Sequence, residues 1–303
     1  TFSIKNLIKG LLKVKSYFKG EALSAIVLEP FVRFSNLLSV WIGASQRIGY
    51  FRFKNEGVYL GNFLTHRLIY NSHLHASQSY LALAKALTEP SLKEPILKKS
   101  IPSQVPFRMK INIPQEEQQT LLRRLQMESP KKSLKNIVLI NANASDIVPL
   151  RKWPLENFIE LGKKLLNNPE FTIVLTGSNE EKDVCEDLAM QINPDRTINF
   201  AGKTSFKELI TLYSISKLLI TNDSGPVHFA STTEVPILAL FGPETPKIFG
   251  PMSPNAKVIF LELACSPCIS VFNHKDSPCT DNQCLKKISV AMVIQEAQKI
   301  LKI

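Results

Sequence analysis

From residue 136 onward, five short β-rich runs alternate with helical stretches, and this alternation limits the possible folds more than any other feature of the chain. The runs are 136–140, 171–175, 197–200, 217–221 and 236–240. Helical patterns near 154–167, 179–192, 204–215 and 225–234 separate them. Strands joined through helices of this length pair in parallel, because a parallel connection needs a crossover of a dozen or more residues. A doubly wound parallel sheet is expected, with the loops 141–154, 176–180, 202–205 and 220–230 sharing one crevice at the carboxyl ends of its strands.

The last of these loops, ITNDSGPVHFA, shows what such an edge can do. The apolar run breaks at Asn222-Asp223-Ser224-Gly225, and a helix restarts with Pro226 in its first turn. Ser224 or Asp223 is placed to cap that helix. Pro226 suits its first position, because the missing N–H would have had no intrahelical partner. The loop amides and the positive helix end favour an anion such as phosphate or pyrophosphate, and Gly225 lets it approach the backbone. An ordinary capped strand–helix joint accounts for the same residues. His228, one turn into the helix, reads as a structural hydrogen bond before a catalytic group.

The first half is less regular. Residues 3–19 place Ile4, Leu7, Ile8, Leu11, Leu12 and Phe18 at helical spacing, with Lys5, Lys9, Lys13, Lys15 and Lys19 over much of the remainder. This basic amphipathic helix fits either an anionic bilayer surface or the solvated face of a packed helix. A short strand at 25–28 follows, with Glu29 directly at its carboxyl end, where ligand crevices form. A helix at about 32–41, a strand at 47–50, a loop rich in Gly and aromatics, and a helix within 71–87 come next. His73 and His75 lack the i, i+4 spacing that sets two metal ligands on one helical face, and read as loop or substrate contacts. Prolines 90, 95, 102 and 106 mark an extended surface segment. A strand near 108–113 and a helix at 114–127 lead to 128–133, the expected hinge between domains 1–130 and 131–303.

The formal charge of +11 points to an anionic partner. The chain has no RNA-binding aromatic signature, zinc-finger pattern or heptad, which argues against nucleic acid. No run approaches the roughly 18 uninterrupted apolar residues of a membrane span. No signal-peptide pattern is present, so a cytoplasmic location is expected. The sequence opens on Thr1 rather than Met and is expected to be a fragment or a processed product. Cys265, Cys268, Cys279 and Cys284 fall as C-x2-C-x10-C-x4-C with His274 between them, while Cys185 stands alone. The spacing permits a tetrahedral zinc site, two disulfides, or free thiols ordering a loop.

In order along the chain stand EPFVRFS and QRIGY, then NANAS, RKWPLENF, VLTGSNEE, FAGKTSFKELI, TNDSGPVHFA, LFGPETP, CSPC and CTDNQC. Their order and spacing resemble those of the bacterial lipopolysaccharide heptosyltransferases, the ninth glycosyltransferase family. The resemblance implies an α/β GT-B fold of two Rossmann-like domains, the C-terminal one holding a nucleotide-sugar. It implies inverting, metal-independent transfer without a cofactor, typically from ADP-heptose to a phosphorylated glycolipid acceptor of the lipopolysaccharide core. Without a metal, cations and helix-start amides must stabilise charge growing on the departing nucleoside diphosphate. By the same resemblance Arg151, with Lys152 beside it, matches a phosphate-binding basic residue, and Ser145 matches the hydroxyl of the preceding phosphate loop. Asp223, Ser224 and Gly225 match the loop gripping the donor's phosphates and sugar. Asn179 or Glu180 falls near the ribose, and Lys203 and Thr204 near the adenine edge. Trp153 also reads as a plain core residue.

One departure stands out. The family's N-terminal Gly-Asp motif, whose Asp is its proposed base, does not occur, and no Asp precedes Asp146. The N-terminal domain is therefore expected to be truncated, with Glu29 as an alternative base. An acceptor at the inner face of the inner membrane suits the basic first helix. Two other readings stay open: a non-catalytic nucleotide-sugar-binding protein, and a zinc-dependent interaction module built on the four cysteines.

Overall fold

The computed structural model describes residues 4–18, 23–53, 60–90, 94–102, 109–129, 133–144 and 148–303. The chain divides into two compact units, Thr1–Pro106 with Ser270–Lys275, and Phe107–Ile269 with Asp276–Ile303.

The first unit runs α1 (Ile4–Tyr17), β1 (Ser24–Ile26), α2 (Arg33–Trp41), β2 (Gln46–Tyr50), β3 (His66–Leu68) and α3 (Ala76–Ala86). Its strands pair in parallel in the order β1-β2-β3. β3 lies where the sequence reads only as a loop, because a three-residue strand holding His66 and Arg67 carries no apolar run. The core gathers Phe31, Ile48, Tyr50, Leu68, Tyr70 and Leu83. The Tyr50 hydroxyl donates to the Ser79 carbonyl at 2.8 Å, and burial pushes its pKa well above the usual phenol value. Phe272, from the returning segment, completes the aromatic cluster, its ring centroid 5.5 Å from Phe31 and 5.8 Å from Tyr70.

His75 caps a helix. It is the N-cap of α3: its Nδ1 accepts the Ser77 N–H at 3.2 Å, and the Gln78 side chain accepts the His75 N–H at 3.2 Å. This reciprocal pairing satisfies two donors that the first helical turn leaves open. β1 ends at Ile26, so Glu29 lies beyond it in the turn toward α2, exposed and accepting a hydrogen bond from the Ser35 hydroxyl.

The second unit opens with α4 (Gln115–Glu128), β4 (Asn136–Asn141), α5 (Leu155–Leu165), β5 (Phe171–Leu175), α6 (Lys182–Ile192), β6 (Thr197–Asn199) and α7 (Phe206–Ile215). It continues with β7 (Leu218–Asn222), α8 (Gly225–Ala230), β8 (Ile237–Phe241), α9 (Pro246–Phe249), β9 (Ala256–Phe260), α10 (Gln283–Lys286) and α11 (Val290–Leu301). All neighbours in its sheet are parallel, in the order β6-β5-β4-β7-β8-β9. The sequence reading counts five strands. The sixth, β9, is an edge strand with only Ile259 buried and an exposed Lys257 near its start, unlike the buried inner strands.

That run has a simple origin: both faces of the sheet are covered, so successive residues of one strand enter different cores. Val138 and Ile140 join Phe158, Leu161, Leu188 and Val293 on one face. Ile137 and Leu139 join Leu121, Leu125, Ile210 and Tyr213 on the other. Leu121 and Leu125 belong to α4, which therefore packs into the second unit. This corrects the expected division at 130/131, since the boundary falls at 106/107. Among the described residues no strand forms at 109–113, where one is expected, although the Ile111 N–H does donate to the Thr232 carbonyl at 2.9 Å. No helix among the described residues is long and apolar enough to cross a membrane.

Candidate functional site

In the six-stranded sheet the chain winds outward from β4 through β5 to β6, then returns to start again at β7. The adjoining pair β4 and β7 thus forms the switch point at which ligands of open α/β sheets bind. Asn222, the fully buried last residue of β7, ties the loops there together. Its Oδ1 accepts the Trp153 N–H at 3.0 Å and its Nδ2 donates to the Ala142 carbonyl at 2.8 Å. On the other side of β4, Asn141 donates to the Thr176 carbonyl at 2.9 Å.

The short 3-10 turn Pro149–Arg151 is held from both ends. Asn282 donates to the carbonyls of Leu150 and Lys152 at 2.9 and 3.0 Å, and the buried Trp153 indole donates to the Ile288 carbonyl at 2.9 Å. Trp153 is core, yet it also anchors the turn that carries Arg151. The Arg151 Nε is buried and meets no hydrogen-bond acceptor among the described residues. A buried donor left unpaired costs roughly 1–3 kcal/mol, so this position favours an anionic acceptor. Ser145, expected to contribute a hydroxyl here, lies outside the described residues.

Beside Asn222, Asp223 is buried and its N–H continues the ladder to the Leu240 carbonyl at 3.0 Å. Ser224 is the N-cap of α8 but makes no side-chain cap; its hydroxyl donates back to the Asn222 carbonyl at 3.3 Å. Pro226 is the second helical residue, and α8 spans six residues where the sequence pattern extends to 234. Gly225 packs against an aromatic ring, since a Cβ there would stand 3.1 Å from Phe229. Phe229 in turn meets Phe206 edge to face, centroids 5.0 Å apart.

The loops after β5 and β6 touch directly through the Gly202 N–H, which donates to the Gly177 carbonyl at 3.0 Å. Gly202 has φ +69°, and a Cβ there would come 2.9 Å from the Asn179 Cα, so only glycine fits. Asn179 and Glu180 are exposed on the turn leading to α6. Backbone and Ser178 hydrogen bonds hold the Glu180 carboxyl below its usual range. Lys203 is half-buried, its Nζ 2.7 Å from Glu128, and Thr204 is half-buried beside it.

A sequence model of glycosyltransferase family 9 (heptosyltransferase) matches residues 25–277. The chain belongs to glycosyltransferase family 9. Lipopolysaccharide heptosyltransferase 2 of Salmonella typhimurium is 33% identical over 116 residues, which is 37% of this chain and 33% of that protein. Lipooligosaccharide heptosyltransferase 2 of Campylobacter jejuni is 31% identical over 175 residues, 55% of this chain and 52% of that one. The matches thus span a third to a half of those relatives' length. Among solved structures, the Escherichia coli ADP-heptose lipopolysaccharide heptosyltransferase II superposes with a TM-score of 0.68 at 22% identity, covering 97% of this chain and 80% of that one. A family 9 glycosyl transferase from Veillonella parvula gives 0.69 at 24% identity, covering 100% and 80%. The fold is GT-B, each unit being a parallel Rossmann-like α/β layer.

In this family 9 chain the expected donor residues of the second unit that are described, all but Ser145, fall on loops at the carboxyl edge of its sheet, while Glu29 belongs to the first unit. Sequence reasoning passed over Asn222, the tie among these loops, although its signal was visible: a polar residue closing an apolar run. It also passed over Glu244, a buried carboxylate following β8.

The cysteine segment folds over the end of β8. The N–H groups of Cys268 and Ile269 donate to the Pro243 carbonyl at 3.0 and 3.1 Å, and Cys284 is buried against Gly242. The Ser277 hydroxyl lies 3.2 Å from the Cys268 Sγ. All five cysteines are free thiols, and no group of three or more His, Cys, Asp or Glu among the described residues is arranged to hold a metal ion. Burial raises the pKa of Cys185 and Cys284.

Proposed function

We propose that this family 9 chain is a glycosyltransferase that moves a heptose-like sugar from a nucleotide donor, ADP-heptose, to a lipopolysaccharide core-type acceptor, with inversion and without a metal or cofactor. The observation that carries the reading is Arg151: a cation whose buried Nε meets no acceptor among the described residues, on a turn locked to Asn222 at the switch point. Departure of a nucleoside diphosphate loads negative charge onto its phosphates, and a fixed guanidinium there stabilises the transition state more than the ground state. Lys152, Ser145 and the N–H groups of Ser224 and Gly225 are assigned to the same diphosphate, because the first amides of a helix have no intrahelical acceptor. Asp223 is assigned to the donor's sugar, Asn179 or Glu180 to its ribose, and Lys203 with Thr204 to the adenine edge.

Glu29 is proposed as an alternative base toward the acceptor hydroxyl, in place of the family's Asp. The reading suits a cytoplasmic enzyme meeting a phosphorylated glycolipid at an anionic membrane surface, with nucleic acid playing no part. Its test is a calorimetric titration with ADP-heptose, with a UDP-sugar and Asp223→Ala as comparisons. Selective binding that the substitution abolishes is expected, and no binding by the folded chain would refute the donor assignment. Transfer that survives EDTA and falls in Glu29→Gln, with donor affinity unchanged, would establish the remainder. Binding without transfer would leave a nucleotide-sugar-binding protein.

A further inference from the structure

We propose that Arg124, on α4, is a positioning residue for the loop facing the donor's nucleobase and thereby tunes the preference among nucleotides; this rests on the donor reading above. The loop 200–205 leaves the edge strand β6 and ends at the N-cap of α7. Arg124 holds it at its start, its middle and its end. The guanidinium lies over the Phe200 ring, 5.4 Å from its centroid. One Nη donates to the Lys203 carbonyl and the other to the Glu208 carboxylate. Glu208 closes the capping box of α7, accepting the Ser205 N–H at 2.8 Å while the Ser205 hydroxyl accepts its own N–H at 3.3 Å. The network then returns to α4: Glu128 lies 3.7 Å from the Arg124 Nε, and its other oxygen meets the Lys203 Nζ at 2.7 Å. Both the backbone and the side chain of Lys203 are thus set from one helix.

These groups are 28–40% exposed, where ion pairs contribute little to global stability. What the arrangement fixes is geometry. A forked guanidinium reaches a carbonyl and a carboxylate at once, which an ammonium on a flexible stem does not. Gly202, with its left-handed backbone, gives the loop a sharp bend but no side chain to brace it, so the bracing comes from Arg124.

The test titrates the full chain with ADP, UDP and inorganic pyrophosphate, in the wild type, Arg124→Ala and Arg124→Lys. Arg124→Ala is expected to weaken ADP about tenfold, the scale of a lost charge-assisted bond, and to narrow the preference for ADP over UDP. Its pyrophosphate affinity should stay unchanged and its thermal midpoint should fall only slightly, and Arg124→Lys should remain nearer to alanine than to wild type in its preference for ADP over UDP. Unchanged ADP affinity in Arg124→Ala, in a chain whose wild type binds ADP, overturns the inference. So does equal weakening of ADP and pyrophosphate, which marks general damage. A wild type that binds none of the three probes overturns the donor reading itself, and this inference with it.

Discussion

The side chain of Asn222 accepts the Trp153 backbone N–H at 3.0 Å, so the turn bearing Arg151 is fastened to the end of β7 rather than to its own strand β4. With its second bond to Ala142, one buried amide sets the spacing of both loops at the switch point. Asn222→Ala should destabilise the chain by about 1–3 kcal/mol, because it strands a buried N–H and a buried carbonyl. Urea unfolding measures that loss. An ADP titration should show a parallel drop in affinity, and unaltered affinity would mean that the turn keeps its place without the amide.

Gly202→Ala forces a side chain into left-handed backbone and against the Asn179 main chain, which cannot move aside as a flexible side chain would. A loss of about 1–3 kcal/mol in stability is expected, with weakened ADP binding. A thermal midpoint equal to that of wild type would show that the loop relaxes freely.

Glu208 gives the chain an acid-sensitive joint. Hydrogen bonds from Ser205 and the charge of Arg124 hold its carboxyl below the usual value of 4.5. The folded pKa thus lies below the unfolded one. The stabilisation is present above the unfolded value and is lost as pH falls through the depressed folded value. Urea midpoints measured from about pH 6 to pH 3 should decline less steeply in Glu208→Gln, which keeps the capping box but not the charge. Identical slopes would remove Glu208 from the acid response.

The thiols should differ in reactivity. Cys265 is exposed, whereas Cys185 and Cys284 are buried with raised pKa values that keep them protonated near neutral pH. Mass spectrometry after brief iodoacetamide treatment should find Cys265 alkylated first and Cys185 and Cys284 last, because the thiolate is the reacting form. Early modification of Cys284 would show that the segment over β8 opens readily.

The inner strands of the second unit were legible because a sheet covered on both faces writes itself as unbroken apolar runs such as 136–140. The edge elements were not. β3 and β9 are short or half-exposed, and their identity comes from neighbours that supply the pairing. The unit to which α4 belongs is not legible either, because its apolar residues say that it packs, but not against what. The site followed the same division. Asp223 and Arg151 lie on loops whose glycine, proline and cation pattern is local, whereas the bond from Asn222 to Trp153 spans 69 residues and leaves no local trace.

The return of residues 270–275 to the first unit bears on synthesis. When a ribosome has completed residue 106, the aromatic cluster around Phe31 and Tyr70 still lacks Phe272. Every strand of the second unit emerges before that ring does. The usual order, in which the N-terminal domain finishes first, is therefore reversed for this core: its last piece arrives only after the larger sheet has had the chance to form.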